Sequence, residues 1–285
     1  MVAHLLVTMK GTMAVTAIII LANHHAAALT TRFPAGWNGL AEKPPLAWRS
    51  YNAQVAYPGM PMDQRSITQN IDVLTNRSRL VDGTPTSLWD LGYRTAGIDG
   101  GWEKCDASGS MHDAGGNPVV DTALFPDMSS LVSHGHAQGV KMGFYLNTCG
   151  CPPQEDNEAW YEGDVRALVR LGFDAVKFDD CGNMRNSTRY AALMNATGRS
   201  FLIENCHWGI CDASFDQADA SGCPTPSRDW CPFNFFRTSG DIRETWNSWT
   251  RNLMTATRFL DAEAPLSGPH LSEPEWRDRV VCNHV

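Results

Sequence analysis

The run LGFDAVKFDDCG, residues 171–182, decides how this chain folds. A helical stretch ends at Gly172, where a helix C-cap favours a left-handed residue. A strand-sized apolar run follows and stops in Asp179, Asp180 and Cys181. Working outward, the same unit recurs in LGYRTAGIDGGW (91–102), QGVKMGFYLNTCG (138–150) and TGRSFLIENCHWG (197–209), with Gly92, Gly139 and Gly198 in the place of Gly172. The intervening segments read as helices. EDNEAWYEGDVRALVRLG (155–172) sets Trp160, Val165, Leu168 and Leu171 on one stripe, and ETWNSWTRNLMTATRFL (244–260) does the same with Trp246, Trp249, Leu253, Ala256 and Leu260. Near-continuous apolar strands alternating with helices imply a parallel sheet covered by helices.

A closed (β/α)8 barrel and a doubly wound open sheet both satisfy that pattern. No G-x-G-x-x-G or P-loop follows the first strand, so the usual reason for a nucleotide-binding sheet is missing. Polar residues gather instead at the C-terminal ends of several strands: Asp99, Asn147, Asp179, Asn205 and Asp241. Barrel enzymes assemble their sites there. The expected fold is α/β of the (β/α)8 TIM-barrel type.

Alternation explains the charges in the opening run. Val176 and Phe178 are expected to face outward under the helices, which sends Lys177 and Asp179 together into the barrel mouth. A lysine on the same face favours the ionised form of a buried aspartate, the state a nucleophile needs. Asp180 falls on the opposite face or in the loop. The run FNFFRTSGDIRETW (233–246) supplies a second carboxylate, Asp241, at a later strand end, where it serves either as a helix cap or as a catalytic acid.

Composition narrows the class. A net charge of −8 and a pI near 5.5 argue against a nucleic-acid surface. Lys10 followed by the apolar Thr12–Ala22, with Ala26 and Ala28 beyond, reads as a secretory signal peptide over residues 1–28, and no later segment is apolar enough to span a membrane. Nine cysteines suit the oxidising secretory route, and their odd number leaves at least one thiol unpaired, with Cys282 the candidate. The CGC and CHWGIC runs lack the paired spacing of structural zinc sites, so no metal is expected. Sequons at Asn76, Asn186 and Asn195 are compatible with glycosylation.

The segments KPPLAWRSYNA, GYRTAGIDGGW, GVKMGFYLNTCG, DAVKFDDCGNM, TGRSFLIENCHWG and FRTSGDI stand in the order of motifs in secreted melibiase-type α-galactosidases of glycoside hydrolase family 27, which the chain resembles from about Leu40 to about Leu260. The resemblance implies a (β/α)8 barrel, a trailing β-sandwich domain and hydrolysis of terminal α-galactosides with retention. It implies Asp179 as nucleophile and Asp241 as acid/base in a double displacement that requires no cofactor, with an α-galactoside or related carbohydrate as substrate. Trp48, Asp99, Lys177, His207 and Arg237 would bind the sugar. Cys181 would pair with Cys149 or Cys151, and Cys206 with Cys231 or Cys223. Two positions depart from the family pattern: Gly100 stands where the family has a second aspartate, and His207 where it often has a glutamate. Both admit another α-linked sugar.

Six strand–helix units are expected rather than eight, within a barrel domain spanning residues 29–262. Residues 263–285 read as an irregular, aberrant tail with no β-sandwich. A truncated, non-catalytic homologue with weak sugar binding is therefore the alternative to a secreted or lumenal hydrolase. The sequence says nothing about oligomeric state.

Overall fold

A computed structural model describes residues 38–41, 44–51, 53, 61–153, 155–179, 181–206, 232–237 and 241–256. The expected signal segment, the 263–285 tail, Asp180 and His207 lie outside the described residues.

Six strands form one parallel sheet: β1 (Leu46–Arg49), β4 (Tyr93–Gly97), β5 (Lys141–Leu146), β6 (Ala175–Phe178), β7 (Leu202–Asn205) and β8 (Phe235–Phe236), paired in that order. β2 (Arg79–Val81) and β3 (Thr84–Thr86) make a separate antiparallel hairpin. Helices α1 (Gln64–Thr75), α2 (Met128–Ala137), α3 (Glu158–Leu171) and α4 (Ser187–Ala196) lie in the crossovers, and α5 (Trp246–Ala256) follows β8. Within this sheet each strand pairs with the next one along the chain, as successive crossovers produce. The sheet curls as part of a (β/α) barrel whose described edges are β1 and β8.

Local chemistry starts and stops the helices. Asp63, Asp127, Asn157 and Asn186 each accept a backbone N–H in the first turn of α1, α2, α3 and α4. α3 ends at Gly172, whose φ of 88° lies in the left-handed region and whose N–H reaches Leu168 and Val169.

The core fills the space between the sheet's outer face and the helices. Phe144 stacks on Phe173 at 4.5 Å, Phe178 stacks on Tyr190 of α4 at 4.3 Å, and Trp102 lies against Phe144 at 4.2 Å. Complete burial of such a side chain contributes roughly 1.5–3 kcal/mol. A polar knot sits inside this layer. Asp164 of α3 accepts from Tyr190 Oη at 2.6 Å and meets His112 Nε2 at 3.0 Å, which anchors the long β4–α2 excursion to α3 and α4.

Two disulfides, Cys105–Cys151 and Cys149–Cys181, tie the excursion after β4 and the loop after β6 to the loop after β5. The partner of Cys181 is therefore Cys149. Cys206 is a free buried thiol among the described residues, and the Cys231 and Cys223 expected to bond it lie outside them. It faces Arg237 Nη1 at 3.0 Å.

α5 also departs from expectation. A helix that covers a sheet turns its apolar stripe inward, yet Trp246 is 78% exposed and Leu253 72%. No helix among the described residues is long and apolar enough to cross a membrane.

Candidate active site

Register places one row of side chains on the sheet's inner face. Tyr145, Lys177, Glu204 and Phe235 are partners across β5, β6, β7 and β8. Asp99 lies two residues beyond Gly97, which pairs with Gly143, and so joins the same row. Close to the strand ends, Asp179, Cys206 and Arg237 stand two residues further on.

Lys177 and Asp99 form the centre. Nζ lies 2.9 Å from Asp99 Oδ2, and both side chains are nearly enclosed. The lysine's direct partner is thus Asp99, with Asp179 within its field. Burial alone would push the Lys177 pKa down. Cys206, Asp99 and Asp179 oppose it and hold the value above the ordinary one. Burial pushes the Cys206 thiol up to about 12. Nζ also faces the rings of Tyr145 at 4.9 Å and Tyr51 at 5.7 Å.

Asp179 is held on several sides. Its Oδ2 accepts from the Tyr145 hydroxyl. Burial, then the Asp179 charge, raises the Tyr145 pKa far above its ordinary value, which keeps the phenol protonated and donating. Asn147 Nδ2 donates to the Asp179 carbonyl at 2.8 Å. Asn147 achieves this with φ of 56°, a left-handed conformation that asparagine tolerates better than most residues. Cys149 Sγ lies 3.6 Å from Asp179 Oδ2. Cys149, Asp179 and Cys181 therefore cluster, but the two sulfurs are bonded to each other, leaving a disulfide against a carboxylate.

Asp241 occupies the other flank. Arg237 Nη2 donates to Oδ1 at 2.6 Å, and the Tyr51 hydroxyl donates to Oδ2 at 2.8 Å. Arg237 in turn links this carboxylate to Cys206. Glu204, the carboxylate that β7 places beside Lys177, pairs with Arg49 across the interior.

The structure brings Asp99, Lys177, Asp179, Arg237 and Asp241 into one network and leaves Trp48 apart. Trp48 pairs in register with Ala96, on the face opposite Arg49 and Gly97, and packs against the core. The aromatic that β1 delivers to the network is Tyr51. At Gly100, an added Cβ would come 3.3 Å from Tyr145 Cε1. Tyr51 and Tyr145 were missed by sequence reasoning, although period-two alternation from Arg49 and back from Asn147 points to both.

A family model described as alpha galactosidase A matches residues 62–281. An α-galactosidase of Cyamopsis tetragonoloba is 28% identical over 225 residues, covering 75% of this chain and 47% of that protein. The crystal structure of α-galactosidase I from Mortierella vinacea superposes with a TM-score of 0.54 at 24% identity, over 74% of this chain and 49% of that one. The Saccharomyces cerevisiae α-galactosidase, solved with raffinose, gives a TM-score of 0.54 at 21% identity, over 73% and 42%. These solved structures share the fold, and the chain spans about half the length of the curated relatives it matches.

Proposed function

The chain belongs to the alpha galactosidase A family, and from that premise we propose that it is a retaining hydrolase of terminal α-linked galactosides, with Asp179 as nucleophile and Asp241 as acid/base. The observation that carries this reading is the pair of carboxylates on either flank of Lys177, each held by a tyrosine hydroxyl.

In the first step Asp241 gives its proton to the glycosidic oxygen while the C1–O bond breaks and a carboxylate oxygen of Asp179 bonds to C1. In the second, water attacks C1, Asp241 takes its proton, and the bond to Asp179 breaks. The products are galactose with its original anomeric configuration and the free alcohol. The buried Lys177–Asp99 pair offers a cation and a carboxylate to sugar hydroxyls, and Arg237 offers a further donor. Arg237 presents Nη2 to Asp241, so a bound hydroxyl would share or displace that contact. Raffinose, carried by the yeast relative's structure, is a reasonable trial substrate. Two disulfides suit a protein of the secretory pathway, where we place it.

The test is hydrolysis of nitrophenyl α-galactoside by the purified full chain. Asp179→Asn is expected to lose at least about a thousandfold in kcat. Asp241→Ala is expected to regain turnover with azide, releasing α-galactosyl azide. Turnover by Asp179→Asn at the wild-type rate would overturn the assignment. Galactose binding without any turnover would support the non-catalytic alternative. The absence of an aspartate at Gly100 makes α-linked sugars other than galactose the second panel to assay.

A further inference from the structure

Asp241 is the more exposed of the two carboxylates, and little holds it in place. It belongs to neither β8 nor α5, and its side chain is 37% exposed. Two contacts orient it. Arg237, four residues earlier on the same segment, binds Oδ1, whereas Tyr51, 190 residues away in sequence, binds Oδ2. Only the second ties Asp241 to the opposite side of the sheet, because Tyr51 follows β1 and Arg237 follows β8. The Tyr51 ring also stands 5.7 Å from Lys177 Nζ, so one side chain touches both the centre of the network and its outer acid.

We infer that Tyr51 is the positioning residue for Asp241, its hydroxyl aiming the carboxylate across the pocket toward the side that holds Asp179. The inference rests on Asp241 being the acid/base. Tyr51 suits the task chemically. Burial, then the hydrogen bond and charge of Asp241, raises its pKa above the ordinary value, so the hydroxyl stays a donor through neutral and mildly alkaline pH. The charged and titratable groups around the Tyr51–Asp241 contact are Arg237 and Arg243 on the Asp241 segment, with Asp99 and Lys177 on the strands beneath.

The test compares wild type, Tyr51→Phe and Asp241→Asn on two α-galactosides, one with an alkyl and one with a dinitrophenyl leaving group. Only the alkyl substrate needs proton donation as its bond breaks. For Tyr51→Phe, kcat/KM on the alkyl substrate is expected to fall about tenfold, the loss of one charge-assisted hydrogen bond. The dinitrophenyl value should stay within about twofold. Equal losses on both substrates would overturn the inference, since a merely structural role lowers both rates together. Asp241→Asn separates the two levels. If it keeps the alkyl rate, the acid/base assignment falls and Tyr51's part falls with it. If it loses that rate while Tyr51→Phe keeps it, only the Tyr51 inference fails.

Discussion

The Cys206 thiol shows how one side chain senses the whole cluster. It is buried, it accepts from Arg237, and its surroundings raise its pKa from an ordinary value near 9 to about 12. A thiol whose folded pKa lies above its unfolded one releases its proton sooner in the unfolded chain. Stability therefore falls as pH rises from about 9 toward 12. Cys206→Ala is expected to flatten that slope, measured as the denaturant midpoint at pH 8, 9 and 10. A slope unchanged by the substitution would show that other groups carry it. In the same way, the native thiol should resist alkylation at pH 8 and react once the chain is unfolded. At this scale the sequence was informative where two-residue alternation held. Lys177 and Asp99 were legible from strand ends, and Phe178 lies under α4 as its parity requires. The resemblance alone implies Trp48 as a sugar contact, and the register puts it on the core face.

The loops after β5 and β6 are joined by a disulfide that serves geometry as well as stability. Cys149–Cys181 and Cys105–Cys151 close loops of 32 and 46 residues. Loop entropy grows only with the logarithm of length, so each removal should cost a similar amount, roughly 3–4 kcal/mol. Their effects on catalysis should differ. Cys149 Sγ lies against Asp179 Oδ2, whereas Cys105–Cys151 clamps the excursion after β4. The double variant Cys149→Ala, Cys181→Ala should lower kcat more than Cys105→Ala, Cys151→Ala at matched thermal shifts. Equal kcat losses would reduce both bridges to staples. The elements themselves were largely readable, because caps and apolar runs are local signals: the C-cap glycine at 172 and the strands that follow Gly92, Gly139, Gly172 and Gly198 emerged from spacing. The disulfide partners were not, since pairing depends on which loops meet in space.

For the molecule as a whole, the sheet presents β1 and β8 as its described edges, and α5 carries its apolar stripe outward. Trp246, Trp249, Leu253 and Met254 form an exposed patch of the kind that promotes association. Replacing Trp246 and Leu253 with Glu should raise solubility and lower binding of an apolar dye without shifting the thermal midpoint. A large fall in that midpoint would mean the stripe is buried in solution. Helical periodicity revealed the stripe but not its exposure, because periodicity reports that a face is apolar and says nothing of what lies against it. The same asymmetry bears on the pocket. Asp179 is fastened by a disulfide, a strand and an asparagine, whereas Asp241 hangs beyond a two-residue strand and meets the rest of the site through single side chains. One jaw of this vice is bolted and the other is pinned by two hydrogen bonds. A sugar that claimed Arg237 on arrival would have to loosen one pin, and that work would surface as weaker grip at half-saturation, with the speed of bond cleavage once bound left intact.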